Sequence, residues 1–405
     1  MAKKIHVCIL EFDYHAEVLR ELCFILKDSG LKISIFTTEK IWSQTQINLD
    51  KWDGFNIFLK NKTLKSFLNL HSPILNKSDI IFFNTMASNF YTFSKYRFVQ
   101  PVILRVHNGN SLFFTLKKSF SPKYHLFFLW KDFSHFIRKE FIRPDWFYKN
   151  KTLNKIDFYA FPFIEIRNYA ITTYPQIRPN NSFVLPISSS STIASAKKKQ
   201  NQYTTITIIG RIDYRSRDYE IVYESFKKLK KEKESIPTKL VFLGRTFNKN
   251  ASALLLKFKK LEDDDLKIIC FNEFVPQHEF EMYLSQTDFL IVPVKKETRY
   301  RIFKEIYGKT KISGNINDII RYKIPALVNA TYPLDPELSK VIESFENANE
   351  LAEKIKLWAT NRTWQNLDFK SLEKEYNKEN LQRIYIEAFQ NIQKSLSKES
   401  YSSKI

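Results

Sequence analysis

Cysteine is scarce in this chain, with three in 405 residues, Cys8, Cys23 and Cys270. None sits at CxxC or metal-ligand spacing, which excludes a disulfide framework and a zinc site, and all three fall in apolar patterns that read as core thiols. There is no uncharged apolar run of about 18 residues, so no membrane-spanning helix is expected. The apolar run Ile5 to Leu10 ends at Glu11 and Asp13, too short and too polar for a signal peptide. The simplest expected location is therefore cytoplasmic. Acidic residues are in deficit, 43 against 64 Lys and Arg, leaving a formal charge of +21 and a pI near 9.5. That excess calls for an anionic partner: nucleic acid, an anionic membrane face or a phosphorylated substrate. No helix-turn-helix, finger, RRM or KH pattern is visible, so charge alone supports nucleic acid, and no nucleic-acid partner is expected.

Glycine is scarcer still for its role, with seven in the whole chain. Two of them, Gly308 and Gly314, lie with Ser313 in one loop. That loop belongs to Ile302 to Asn329, IFKEIYGKTKISGNINDIIRYKIPALVN, around which the chain is organised. A strand-like run, Phe289 to Val294, precedes it. Ile316, Ile319 and Ile320 then keep helical spacing until Pro325, and Ala326 to Val328 reads as a buried strand. A small-residue loop feeding a helix gathers free backbone N–H groups at the positive end of the helix dipole, which suits a phosphate. The bland alternative is an ordinary strand-to-helix turn.

What is present is enough for two domains of about 150–200 residues each, with 43% hydrophobic and 15% aromatic residues to fill them. Strand Ile5 to Leu10, helix Glu17 to Lys27 and strand Lys32 to Thr37 alternate as in a parallel sheet with helices on its faces. Strands at Asp79 to Phe83 and Val102 to Val106 follow. Ligands of such sheets lie beyond the carboxyl ends of the strands, which points to Glu11, Asp13 and His15, and to His107 and Asn108. From Phe113 to Lys155 aromatics and cations interleave, the composition of a segment lying at an anionic bilayer surface; packing of those aromatics on the domain core is the other reading. Residues 1–186 form the expected N-terminal, acceptor-binding Rossmann-like domain and 187–203 the linker. Residues 204–370 form the C-terminal Rossmann-like domain, and 371–405 a helix that packs back on the N-terminal domain. In the second domain strands are expected at Thr205 to Ile209, Lys239 to Leu243, Leu266 to Phe271 and Phe289 to Val294.

In order, IIGRIDYRSRDY, KLVFLG, FNEFVPQHEFEMYLSQTDFLIVPV and YGKTKISGNINDIIRYKIPALV resemble the GT-B-fold glycosyltransferases, most closely the family-4 type, and RVHNG and NYAITTYP in the first half also fit. The resemblance covers nearly the whole chain, least well the aromatic–basic segment and the last thirty residues. It implies an α/β fold of two Rossmann-like doubly wound domains facing across a cleft. The implied activity moves a sugar from a nucleotide-sugar donor, UDP- or GDP-linked, to a cell-surface glycan or lipid-linked acceptor, as in polysaccharide, lipopolysaccharide or capsule biosynthesis. No other cofactor and no metal are expected. The family places an arginine after the first strand of the second domain and a lysine a few residues later. Arg211 matches the first, and Arg215 or Arg217 would stand for the second. Lys311, Ser313, Gly314 and Asn315 would hold the other side of the diphosphate, Asp318 would accept from the ribose, and His107 would lie near the donor sugar.

The departure is in the family's two glutamates eight positions apart. Counting back from Pro325 gives Asp318 and Thr310, and a threonine cannot act as a carboxylate. Glu297 and Glu305 have the spacing but lie upstream in a charged stretch and read as coincidence. A retaining, metal-independent transfer is the first reading. An inverting enzyme with its base among Glu11, Asp13 and His15 is the alternative, and an inactive GT-B scaffold a third. The remaining histidines show no pattern.

Overall fold

The computed structural model of the chain describes residues 4–47, 55–114, 145–190, 202–232, 237–246, 249–300 and 303–402. They form two units. The first comprises Met1–Ser189, Tyr300–Glu305 and Lys378–Ile405, and the second Ser190–Arg299 and Ile306–Asn377.

In the first unit, runs such as Val7, Cys8, Ile9 and Leu10, each 0% exposed, are apolar on both faces. Such strands belong in the middle of a parallel sheet with cover on both sides. The strands are β1 (His6–Glu11), β2 (Lys32–Thr38), β3 (Phe55–Lys60), β4 (Ile80–Phe83), β5 (Val102–Arg105), β6 (Phe158–Phe161) and β7 (Ser182–Val184). They pair in parallel in the order β3-β2-β1-β4-β5-β6-β7. The order reverses direction between β1 and β4, and a crevice opens at such a point beyond the carboxyl ends of the strands.

The second unit repeats this plan. It has β8 (Thr204–Ile209), β9 (Thr238–Arg245), β10 (Leu266–Phe271) and β11 (Phe289–Val292). The chain then leaves this unit after Arg299 and returns at Ile306, along the short strands β12 (Glu297–Tyr300) and β13 (Phe303–Ile306). Strands β14 (Ala326–Asn329) and β15 (Ile342–Phe345) complete a parallel sheet ordered β10-β9-β8-β11-β14-β15. Its switch point lies between β8 and β11. The core beneath it closes on Trp358, which is fully buried.

The division differs from the sequence boundaries in two places. Tyr300–Glu305 is grouped with the first unit although it lies deep in the second half of the sequence. The helix expected over residues 371–405 is two helices, Lys370–Tyr376 and Lys378–Ser402, separated by Asn377 in an extended conformation. The shorter one belongs to the second unit, where the Tyr376 carbonyl accepts from Ser190 N at 2.7 Å. The longer one belongs to the first, where Tyr385 Oη donates to the Pro186 carbonyl at 2.8 Å and Phe389 packs edge-on against Phe82.

All three cysteines are free. Burial pushes the Cys8 and Cys270 thiols up to about 11 and raises Cys23 further. At neutral pH they are core thiols rather than nucleophiles.

Candidate functional site

Each unit carries a polar cluster at its switch point. In the first, Glu11 ends β1 with no exposure. Its carboxylate accepts from Asn84 Nδ2 at 2.7 Å and from Asp13 N at 3.0 Å. Burial raises its pKa, against the opposing pull of Thr85, His15, Asn84 and the Asp13 amide. Asp13 reaches the loop after β4, its two oxygens accepting from Ala87 N at 2.8 Å and Ser88 Oγ at 2.5 Å. Both carboxylates therefore fasten the β1 and β4 ends together.

His15 and His107 meet above this frame. Their rings stack at 4.2 Å with planes 14° apart. The His15 Nδ1 lies 2.9 Å from Glu17 Oε1, and its Nε2 is buried without a partner. His107 Nε2 lies 2.8 Å from the Asn84 carbonyl and 3.3 Å from Thr85 Oγ1. A carbonyl only accepts, so His107 carries its proton on Nε2 in the neutral form. The structure thus brings together His15 and His107 and uses Asp13 as a brace. Asn84, which touches both Glu11 and His107, was not singled out by the sequence; it follows an unremarkable strand, IIFF.

In the second unit, β8 ends at Gly210 with φ +98°, where a side chain would meet Arg217 Nη2 at 2.6 Å. A side chain at Gly244, near the end of β9, would come within 2.3 Å of the Gly210 carbonyl oxygen. Only glycines allow this approach. Arg217 fills the space. Its Nη2 donates to the Ile209 carbonyl at 2.8 Å and to Asn315 Oδ1 at 3.2 Å, and its Nη1 to the Arg211 carbonyl at 3.0 Å. Asn315 Nδ2 also donates to Ile209 O, at 3.1 Å. Arg217 and Asn315 therefore join the end of β8 to the start of the helix Gly314–Tyr322.

Arg211 and Arg215 differ from Arg217 in being turned outward. Both pair with Asp213, at 3.3 and 2.8 Å, and their side chains stay 46% and 50% exposed while that of Asp213 is 7% exposed. Burial works to raise the Asp213 pKa, but the hydrogen bonds and charge of Arg215, with the charge of Arg211, hold it below the ordinary carboxylate range. Asp213 was missed in the sequence, though its place two residues from each arginine was the available signal.

The helix Gly314–Tyr322 starts without a side-chain cap. Its N-cap Ser313 is buried and directs Oγ to Asn315 Oδ1 at 3.3 Å. A side chain at Gly314 would meet nothing within 4 Å. Lys311 Nζ lies 5.8 Å from the Tyr307 ring centroid. Asp318 is half-buried on the helix. Thr310 is 1% exposed and accepts from Ile306 N at 2.8 Å, so it shapes the turn after Gly308, whose φ is +75°.

Glu305 is buried at 0% exposure, and its carboxylate accepts from Ser111 N at 2.7 Å and Asn110 N at 3.3 Å. It is a built-in internal acceptor and not one residue of a solvated charged stretch.

The aromatic–basic segment falls largely outside the described residues, which resume at residue 145. Three of its cations, Lys149, Lys151 and Lys155, are inside; Lys151 is exposed and lies 4.2 Å from the Phe147 ring centroid, while the other two are internally engaged. Lys149 Nζ donates to the Ser111 carbonyl at 3.2 Å, and Lys155 Nζ to those of Ser94 and Tyr96 at 2.5 and 2.9 Å. Most of the linker, residues 191–201, also lies outside the described residues. Among the described residues, no group of three or more His, Cys, Asp or Glu is placed to hold a metal ion, and no helix is long and apolar enough to cross a membrane.

Two parallel, doubly wound sheets, each with its polar cluster at the switch point, define the GT-B class of fold, and solved structures share it. The UDP complex of Anabaena Alr3699/HepE superposes with a TM-score of 0.59 at 10% identity, covering 96% of this chain and 100% of that one. The UDP-forming α,α-trehalose-phosphate synthase of Burkholderia vietnamiensis gives 0.57 at 7% identity, over 97% and 100%. Sucrose-phosphate synthase of Thermosynechococcus elongatus gives 0.54 at 11%, over 99% and 100%. At these identities the likeness is one of fold. No protein-family description matches the chain, and no curated protein sequence matches it.

Proposed function

We propose that this protein is a hexosyltransferase that moves a sugar from a nucleotide-sugar donor to a hydroxyl of a glycan or lipid-linked acceptor, with retention of configuration and without a metal ion. The observation that carries this reading is the cation pair Arg211 and Arg215, held outward by the buried Asp213. In such a transfer negative charge grows on the leaving diphosphate. Preorganised cations and backbone N–H groups stabilise that charge without a reorganisation cost. Arg211 and Arg215 supply the cations, and the uncapped helix start at Gly314 supplies amides and the positive dipole end. Lys311 adds charge beside that loop, and Asp318 accepts from the ribose. HepE has been solved with UDP and with UDP-glucose, which makes uridine nucleotides the first donors to try.

Retention is favoured by the state of the first-unit groups. Glu11 is buried, both Asp13 oxygens accept hydrogen bonds, and His15 Nε2 is buried, so none presents a ready base. His107 serves beside the donor sugar. The excess of cations suits an acceptor at an anionic membrane face, with the protein cytoplasmic and peripheral there. The direct test is a thermal-shift series with UDP, GDP and their sugars. A nucleotide that binds the folded state alone raises stability by RT ln(1 + [L]/Kd), about 2.7 kcal/mol at 100 Kd. No shift with any nucleotide at millimolar concentration would refute the donor assignment.

A further inference from the structure

We propose that Glu305 is a positioning residue for His107: its buried carboxylate accepts the Asn110 and Ser111 amides in the first turn of the helix Gly109–Phe113 and so fixes the helix start that follows the imidazole. The inference rests on the glycosyltransferase reading for its catalytic consequence, but its geometry is independent of it. Glu305 comes from 194 residues further along the chain than Ser111, yet its Oε1 is 2.7 Å from that amide and its Oε2 is 3.3 Å from the amide of Asn110. Hydrogen bonds from a backbone amide to an ionised carboxylate are about twice as strong as neutral ones.

The neighbouring residues of the segment tie the same helix start and its partner. Asn110 Nδ2 donates to the Lys304 carbonyl at 2.7 Å, and Asn110 Oδ1 accepts from Tyr174 Oη at 2.7 Å. Lys149 Nζ, which donates to Ser111 O, sits 5.3 Å from the Phe303 ring. At the other end, Tyr300 Oη lies 2.5 Å from Tyr14 Oη, and the Tyr14 ring touches that of His15 at 4.9 Å. The stacked pair His15 and His107 is therefore bracketed by one segment, with Tyr300 reaching the first ring through Tyr14 and Glu305 holding the helix start that follows the second. The chain continues from Glu305 through the turn at Gly308 to the helix start at Gly314, so the same stretch that offers amides to a diphosphate also sets the helix start after His107.

A misplacement of about 1 Å at a reacting centre costs on the order of 100-fold in rate. Glu305→Ala is expected to lower kcat by about that factor, with the donor KM unchanged within about threefold. Glu305→Gln keeps one acceptor oxygen and should fall between Ala and wild type. In a His107→Ala background, Glu305→Ala should add less than about threefold, because residues acting as a unit are not additive. Independently of activity, the His107 ring resonances in a ¹H–¹⁵N spectrum at fixed pH should move in Glu305→Gln, which also carries the test if the alanine variant does not fold. If the wild type transfers no sugar from any nucleotide donor, the functional reading fails and the spectrum alone decides on Glu305. Equal losses in the two backgrounds, or His107 resonances that stay in place, would overturn the proposal.

Discussion

The two switch-point clusters are built from the same topology and are chemically opposite. At β1 and β4 the polar groups face each other. Glu11, Asp13 and the Asn84 Nδ2 spend their hydrogen bonds on the frame, and the two imidazoles stand above it. At β8 the frame is made by glycines and Arg217, and the charge that remains, on Arg211 and Arg215, is directed outward by one carboxylate. A parallel sheet supplies a place for a ligand; whether that place carries protons or charge depends on which side chains the frame consumes. The first cluster is suited to orienting a neutral hydroxyl-bearing group, the second to stabilising an anion.

The largest effect should come from removing charge in the second cluster. Arg211→Ala should cost about 2–4 kcal/mol of transition-state stabilisation, or roughly 30- to 1000-fold in kcat/KM. A folded Arg211→Ala protein with full activity would remove this residue from the site and erase the contrast. Replacing His15 in the first cluster should leave appreciable transfer and a retained anomeric product. Abolition by His15→Ala, with an inverted product from the wild type, would instead make the first cluster the seat of the base.

Glycine variants separate framing from ligand approach. Gly244→Ala forces a side chain against the Gly210 carbonyl at 2.3 Å, and Gly210→Ala strains a residue at φ +98°. Strained backbone of that kind costs about 1–3 kcal/mol, visible as a lower Tm. Gly314→Ala meets nothing within 4 Å. It should hold or gain up to about 1 kcal/mol in helix propensity while weakening nucleotide binding. Equal loss of Tm in all three would mean that Gly314 belongs to the frame.

Much of this architecture could be read from residues alone. Strands β1, β11 and β14 carry continuous apolar runs because they are buried on both faces, and β8, TTITII, is as buried with threonines interrupting its run. Strands β3 and β15 escaped notice because FNIFLK and IESF are edge strands, partly exposed and interrupted by polar residues. The positions of Arg211 after β8 and of Gly314 at a helix start were legible in the residues. The role of Arg217 was not, because it follows from the φ of Gly210, and that of Glu305 was not, because its partners lie almost half the chain away.

Acidification should separate the clusters by sign. The Asp213 pKa is depressed in the fold, so its contribution is fully present above the unfolded carboxylate value of about 3.9 and is lost as pH falls through the folded one. That of Glu11 is raised. Its ionisation therefore counts against the folded state once pH rises above the unfolded value of about 4.3, until the folded value is reached. Asp213→Asn should flatten the acid limb of the stability curve. Glu11→Gln should be more damaging at pH 4 than at pH 7, since only at the higher pH does it relieve a penalty. Urea midpoints across that range would show it, and parallel shifts in the two variants would deny the difference in sign.

The smallest and most conditional effect concerns whether the first unit meets its acceptor at a membrane. Residues 113–155 are basic and aromatic by composition, but Lys149 and Lys155 are already bound to backbone carbonyls, and burial lowers the Lys155 pKa. They should contribute nothing to lipid binding. The cations left for that role begin with Lys117, Lys118, Lys123 and Lys131. Each is worth about 1 kcal/mol near an anionic surface, over a Debye length of roughly 8 Å. The protein should therefore pellet with anionic vesicles, stay in solution with neutral ones and be released by high salt. Changing those four lysines to glutamate should abolish pelleting and leave the nucleotide-induced thermal shift intact, because the charge proposed to serve the donor follows β8. Lys149→Gln, by contrast, should disturb stability rather than sedimentation. A wild type that never pellets with anionic vesicles would assign the aromatics of this segment to packing and the acceptor to solution.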